Sequence, residues 1–220
     1  MADAAFPLWL SIRVALVSTL FVAAIGIPAG YLLAGKNFKG KEVLDAALTM
    51  PLVLPPTVAG YFLIVIFGRF GLLGRYIYAA TGFNIMFTWY AAALASFVVA
   101  FPLMIRTARA AVESVDLKFV NASRLLGHGE LVTALKVVLP LARKSILAGV
   151  ILSLARGMGE FGATLMLAGN IPGKTQTMPL AIYTAAAGGD WKAAEYMVIL
   201  FTLLSGVALY AANKLTRKSA

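Results

Sequence analysis

Residues 113–145 read ESVDLKFVNASRLLGHGELVTALKVVLPLARKS, a polar stretch that lies between two strongly apolar ones. Asp116 is placed to cap a short helix, because its side chain can accept a hydrogen bond from a free backbone amide. Apolar residues then recur every three or four positions, and Gly127 is suited to end the helix. A second helix of one or two turns is expected to end before Pro140, whose ring disrupts helical hydrogen bonding. The stretch therefore predicts two short amphipathic helices joined at a glycine.

The apolar segments around this stretch are long enough to cross a bilayer, which takes about 20 helical residues. Five regions of the chain meet that length: residues 8–34, 44–67, 87–108, 146–168 and 193–212. With 61% hydrophobic and 13% charged residues, the chain is far more apolar than an ordinary soluble domain. We predict an all-α, polytopic membrane protein of about five transmembrane helices. It forms one domain over residues 1–220, with a polar loop at about 110–145.

The positions of the basic residues predict the orientation of the chain, since Lys and Arg concentrate at cytosolic ends of spans. With the N-terminus outside, the inner face carries Lys36, Lys39, Lys41, Arg106, Arg109, Lys118, Arg124, Lys136, Arg143, Lys144, Lys214, Arg217 and Lys218. The outer face carries Arg69, Arg75, Lys174 and Lys192, and its span ends hold Trp9, Trp89 and Trp191. We therefore place the C-terminus in the cytosol. The net charge of +10 then needs no nucleic-acid partner.

The residue inventory argues against an enzyme. Cysteine is absent and the single histidine, His128, lies between glycines, where a solvated loop side chain is the simplest interpretation. Residues 35–41 have the glycine and lysine spacing of a P-loop, but Glu42 replaces the Ser or Thr that would bind magnesium, and no strand precedes the segment. We expect no cofactor, metal site or catalytic residue in this chain, so any ATP and magnesium would bind a partner.

The polar loop also carries a spaced motif. Its residues are Asn121, Ala122, Ser123, Gly127, Leu139 and Pro140. The motif resembles that of binding-protein-dependent ABC importer permeases, which runs Glu-Ala-Ala, three residues, Gly, nine residues, Ile-x-Leu-Pro. The resemblance implies a type I ABC importer permease fold, in which the loop forms a coupling helix that sits in a cleft of the cytosolic ATPase subunit. Asn121 replaces the usual glutamate and Ser123 the second alanine, so that charged contact is lost or supplied elsewhere. An interfacial amphipathic loop with chance spacing is the alternative.

Two further segments narrow the resemblance. Residues 50–60, MPLVLPPTVAG, and 155–163, ARGMGEFGA, resemble signatures of the molybdate and sulfate oxyanion permeases. Molybdate permeases are often this short, with five spans, whereas sulfate permeases usually add a span. The resemblance implies an inner-membrane subunit of an ATP-driven molybdate importer, with tungstate as a companion substrate. Its partners would be a second copy of itself, two ATPase subunits and an external oxyanion-binding protein, all within membrane lipid.

Two alternatives to molybdate import remain open. The first is a sulfate or thiosulfate ABC permease. The second is an ion-coupled secondary oxyanion transporter, which would normally need a coupling-ion site and a repeated architecture.

Pathway or gate residues are predicted in the same two segments. Pro55 and Pro56 interrupt the second span, and backbone polar groups freed in this way are tolerated only against protein or a water-filled path. Thr57 adds a hydroxyl that an oxyanion could meet. Arg156 and Glu160 are four residues apart on one predicted helix face and can pair, and paired charges inside a span are functional candidates. The alternative is an ion pair that only fixes helix packing.

Overall fold

A computed structural model describes residues 4–35 and 39–218, and within these ranges the chain is all-α, as predicted. The helices are α1 (Ala5–Gly35), α2 (Lys41–Val53), α3 (Pro56–Phe67), α4 (Gly74–Thr81), α5 (Trp89–Glu113), α6 (Leu117–Leu125), α7 (Glu130–Thr133), α8 (Leu139–Met158), α9 (Gly162–Ala168), α10 (Met178–Ala187) and α11 (Trp191–Lys218). A π-helical segment, Ala134–Val138, joins α7 to α8. Lys36, one of the residues used to predict orientation, lies outside the described ranges.

Four continuous helical stretches are long and apolar enough to cross a membrane: Ala5–Gly35, Trp89–Glu113, Glu130–Met158 and Trp191–Ala211. The helices α2 and α3, which meet at a bend of 117°, bring the number to five if the bent pair is one span. The prediction of about five spans is confirmed. Its fourth span, placed at residues 146–168, is wrong in its bounds, because the continuous helix runs from Glu130 to Met158. The first turns of this helix carry polar side chains, so hydropathy alone placed its start too late, at residue 146.

The core of the bundle is formed by α1, α5 and α8, which approach one another closely at small residues. A Cβ atom on Gly30 would lie 2.6 Å from Cβ of Ala108 and 2.9 Å from the carbonyl oxygen of Ile105. A Cβ atom on Gly149 would lie 2.8 Å from the Thr107 methyl carbon. Close backbone approach at small residues is the usual way in which membrane helices associate. These three helices form the support for the bent pair of α2 and α3.

Candidate functional site

The polar loop folds locally as its sequence predicts. At the start of α6, the Asp116 carboxylate accepts a hydrogen bond of 2.8 Å from the Lys118 amide. At its end, Gly127 has a φ of 80°. The Gly127 amide donates to the Arg124 carbonyl at 2.9 Å, and the next amide donates to the Ser123 carbonyl at 3.2 Å. This pair of bonds is the Schellman ending, which favours glycine because the conformation is left-handed. The helix and its glycine stop are therefore confirmed.

The second helix of the loop does not end before Pro140, which corrects the prediction. Glu130–Met158 forms one continuous helix, and Pro140 is the second residue of α8. Proline has no amide to donate, and the π-helical segment Ala134–Val138 widens the helix immediately before it, which accommodates the missing bond. Leu139 and Pro140 thus lie within a continuous helix that starts in the loop. No flexible joint separates the loop part of this helix from the rest.

Ser123, which stands where the motif has its second alanine, faces inward and is buried. Its hydroxyl lies 2.9 Å from Oγ1 of Thr133 and 3.2 Å from Nδ1 of His128. These contacts join α6 to α7, so the buried hydroxyls of Ser123 and Thr133 are partners of each other. The His128 side chain is exposed, as expected for a loop histidine. The contribution of Thr133 was not predicted, because a single Thr in a helix gives no signal of its partner.

The outward surface of the loop is apolar. Asn121 and Ala122 are exposed on it. Large apolar side chains surround them and are between 55% and 89% exposed: Leu117, Phe119, Leu125, Leu126 and Leu131. Large exposed apolar side chains concentrated in one short segment are typical of an interaction surface. We call α6, α7 and the glycine turn between them the knob. Ser123 fixes its inner side.

Two breaks between consecutive helices form the second candidate region. Between α2 and α3, Pro55 precedes the helix and Pro56 is its first residue, with no side-chain cap at this end. Between α8 and α9, the chain leaves the helix at Met158 and begins again at Gly162. The expectation of Arg156 and Glu160 on one helix face is therefore wrong, because Glu160 lies in the break, beyond the end of α8. Glycines at 157, 159 and 162 favour interruption over a continuous helix.

Arg156 and Glu160 nevertheless pair. Nη1 of Arg156 lies 2.9 Å from Oε2 of Glu160, whose side chain is 1% exposed, against 33% for that of Arg156. The other carboxylate oxygen, Oε1, accepts a hydrogen bond of 2.9 Å from the Ala163 amide in the first turn of α9. One carboxylate therefore holds both sides of the break. Its second contact, with α9, could not be predicted without knowing that the helix is interrupted.

The two breaks meet. A Cβ atom on Gly162 would lie 3.0 Å from Cβ of Pro56 and 3.3 Å from the amide nitrogen of Thr57. One turn further along, a Cβ atom on Gly60 would lie 3.0 Å from Cα of Ala163. The structure thus brings the Pro55–Thr57 segment against the segment that contains Glu160, although about 100 residues separate them in the chain. We call this contact between the starts of α3 and α9 the junction.

A third set of contacts was not predicted as a site. Nη1 of Arg109 lies 2.9 Å from Oδ2 of Asp45, and Nε of Arg109 lies 2.8 Å from Oε1 of Glu113. The pair with Glu113 follows helical spacing and could have been found from the sequence, but the pair with Asp45 joins α2 to α5 and could not. These bonds tie the first half of the broken second span to the helix that leads into α6. Within residues 4–35 and 39–218, no group of three or more metal-ligating side chains occurs.

A family model described as "Binding-protein-dependent transport system inner membrane component" matches residues 26–219. The chain belongs to this family. The permease is 43% identical over 204 residues to the "Putative molybdenum transport system permease protein YvgM" of Bacillus subtilis (strain 168), covering 93% of this chain and 90% of that protein. It is also 43% identical over 196 residues to the "Molybdenum transport system permease protein ModB" of Escherichia coli (strain K12), covering 88% and 86%.

A sulfate permease is also similar. The "Sulfate transport system permease protein CysT" of Salmonella typhimurium (strain LT2) is 32% identical over 201 residues, which cover 91% of this permease and 72% of that protein. Among solved structures, an inward-facing MetNI methionine ABC transporter superposes with a TM-score of 0.77 at 19% identity, covering 97% of this permease and 94% of that chain. The predicted ABC importer permease fold is confirmed.

Proposed function

We propose that this permease is the membrane-spanning subunit of an ATP-driven importer that carries molybdate, with tungstate as a companion substrate. The observation that carries the proposal is identity with the two molybdenum permeases over nearly the whole length of both chains. Identity with the sulfate permease is lower, and a smaller part of that protein is covered. A sulfate or thiosulfate cargo is therefore the second candidate.

The knob would sit in a cleft of a cytosolic ATPase subunit, which would bind the ATP and magnesium. Its exposed leucines and Phe119 supply an apolar contact, with Asn121 and Ala122 beside them. Because α7 continues into α8, movement of the knob would reach the junction through rigid helix. Docking on a cytosolic ATPase requires that the loop and the C-terminus lie in the cytosol and the N-terminus outside, as the Lys and Arg distribution indicates.

Five spans are too few to enclose a pathway within one chain, so the conduit would lie at the two-fold axis of a homodimer. Pro55, Pro56 and Thr57 are exposed at the junction and would line it, with Arg156 and Glu160 acting as gate residues beside them. Glu160 would not touch the anion, because like charges repel. An external oxyanion-binding protein would deliver the cargo and provide initial selectivity.

The test is reconstitution of the permease with its ATPase and binding protein in vesicles. Molybdate should stimulate ATP hydrolysis and enter the vesicles, and tungstate should compete better than sulfate. Absence of molybdate-dependent hydrolysis would count against the whole scheme, whereas stronger competition by sulfate would favour the second candidate. Uptake that survives ATP depletion but collapses with the proton gradient would instead indicate an ion-coupled transporter.

A further inference from the structure

Arg13 is a charged residue inside the first span, and neither the knob nor the junction uses it. Its guanidinium carbon lies 3.8 Å from the centre of the Trp89 ring and 5.0 Å from the centre of the Trp9 ring. Such stacking stabilises the cation through the faces of the rings and leaves the hydrogen-bond donors along the guanidinium edge available. No ion pair is seen between Arg13 and a carboxylate of residues 4–35 and 39–218.

An apolar groove of about 280 Å³ lies between α1 and α5, and it begins near Trp89. On α1 it is lined by Val17, Phe21 and Ile25, and Val17 is the i+4 neighbour of Arg13 on the helix surface. On α5 its first lining residue is Tyr90, whose ring centre is 4.0 Å from that of Trp89. The groove thus begins one helical turn from Arg13 on α1 and next to Trp89 on α5.

A phospholipid fits this combination. Tryptophan and tyrosine favour the level of lipid headgroups, and the groove extends from that level towards the middle of the span, where acyl chains lie. The cation at its mouth is complementary to a phosphate, and Arg binds phosphate through paired N–H donors. A second copy of this chain would cover the groove equally well with apolar side chains, but it would give Arg13 no anion unless it placed a carboxylate there.

We propose that Arg13, Trp9 and Trp89 hold the phosphate of an anionic phospholipid, one acyl chain of which occupies the groove between α1 and α5. The stacked tryptophans keep the guanidinium at headgroup depth, so its edge donates to the phosphate. The site does not depend on the transported anion. With the N-terminus outside, as proposed above, the site lies in the outer leaflet. The leaflet rests on that proposed orientation, whereas lipid binding itself does not.

The test is native mass spectrometry of the purified full-length permease with dioleoyl phosphatidylglycerol and with dioleoylglycerol, which has the same chains and no phosphate. The unaltered chain should retain phosphatidylglycerol about fivefold better than dioleoylglycerol, since one basic residue is worth about 1 kcal/mol against an anionic lipid. In Arg13→Gln this preference should disappear. Equal retention of the two lipids by the unaltered chain would overturn the proposal without any variant.

Arg75→Gln is the matched control. Arg75 also lies over an aromatic ring, 4.6 Å from the centre of Tyr76, and it does not line the groove between α1 and α5. Its substitution should leave the lipid preference within about twofold of the unaltered chain. The same loss in both variants would mean that total charge, not a site, attracts the lipid. If Arg13→Gln instead dissociates the dimer and leaves lipid retention unchanged, the groove belongs to a subunit contact and the proposal is wrong.

Discussion

The knob and the junction are built in opposite ways. The knob consists of residues close together in the sequence, with local caps at Asp116 and Gly127 and a largely exposed outer surface. The junction joins segments about 100 residues apart, and its contacts are so close that a single added carbon at Gly162 would press on Pro56. An exposed surface can accept side-chain changes that leave its backbone intact. A junction packed this closely cannot accept a larger side chain without moving its helices.

The largest effect is expected for Glu160→Ala. The substitution leaves Arg156 without its acid and removes the acceptor for the Ala163 amide, two losses at one break. Removing one partner of a buried pair costs about 3–5 kcal/mol. Because Arg156 is partly exposed, we expect the lower part of that range, together with loss of uptake. Thermal unfolding of the purified permease and uptake by the reconstituted complex measure the two effects.

Glu160→Gln separates the two functions of that carboxylate. The glutamine oxygen still accepts from the Ala163 amide, while the charge pair with Arg156 is lost. Uptake should therefore fall more than assembly, as a gate role requires. If dimer yield falls and each assembled complex still transports normally, the ion pair is structural and the pathway hypothesis for Glu160 is wrong.

Gly162→Leu tests the contact between the breaks. Its Cβ would lie 3.0 Å from Cβ of Pro56, so the start of α3 must move away from α9. Overpacking of this kind costs about 1–3 kcal/mol, and uptake should fall about tenfold. Gly35→Leu is the control, because nothing lies within 4 Å of its Cβ position at the end of α1. Equal uptake by the two variants would show that the junction does not need to stay closed.

The same contrast explains what the sequence predicts and what it does not. The Asp116 cap, the glycine stop and the number of apolar spans depend on neighbouring residues, and these were predicted correctly, although the fourth span was misplaced. The break after Met158, the meeting of Pro56 with Gly162 and the Arg109–Asp45 pair depend on tertiary packing, which no local pattern contains. The helix through Pro140 lies between these cases. The proline is visible in the sequence, but the π-helical segment that accommodates it is not.

Gly127→Trp tests the knob through its backbone. Nothing lies within 4 Å of its Cβ position, so the added side chain meets open space, but the φ of 80° is strained for any residue with a Cβ. A left-handed residue costs about 1–2 kcal/mol, which predicts at least about fivefold weaker retention of the ATPase. Membrane insertion should be unchanged. Co-purification of the ATPase with the permease measures retention.

Gly82→Trp is the matched control for that variant. Gly82 also has a positive φ, of 67°, and open space at its Cβ position, but it follows α4 on the side assigned to the outside. It should bear the same backbone strain and leave ATPase retention unchanged. Loss of retention in both variants, or in neither, would refute the assignment of α6 to the ATPase contact.

The smallest effect is expected for Ser123→Ala, which restores the alanine of the family motif. It leaves Oγ1 of Thr133 buried without its hydroxyl partner, at a cost of about 1 kcal/mol in the free energy of unfolding. Adding Thr133→Val should recover most of that loss, because removing both partners leaves no unpaired group. Since Ser123 faces away from the exposed surface, ATPase retention should stay unchanged in both variants. A fall in retention would mean that the inner side of the knob controls its outer surface, and the separation of binding from packing at this site would fail.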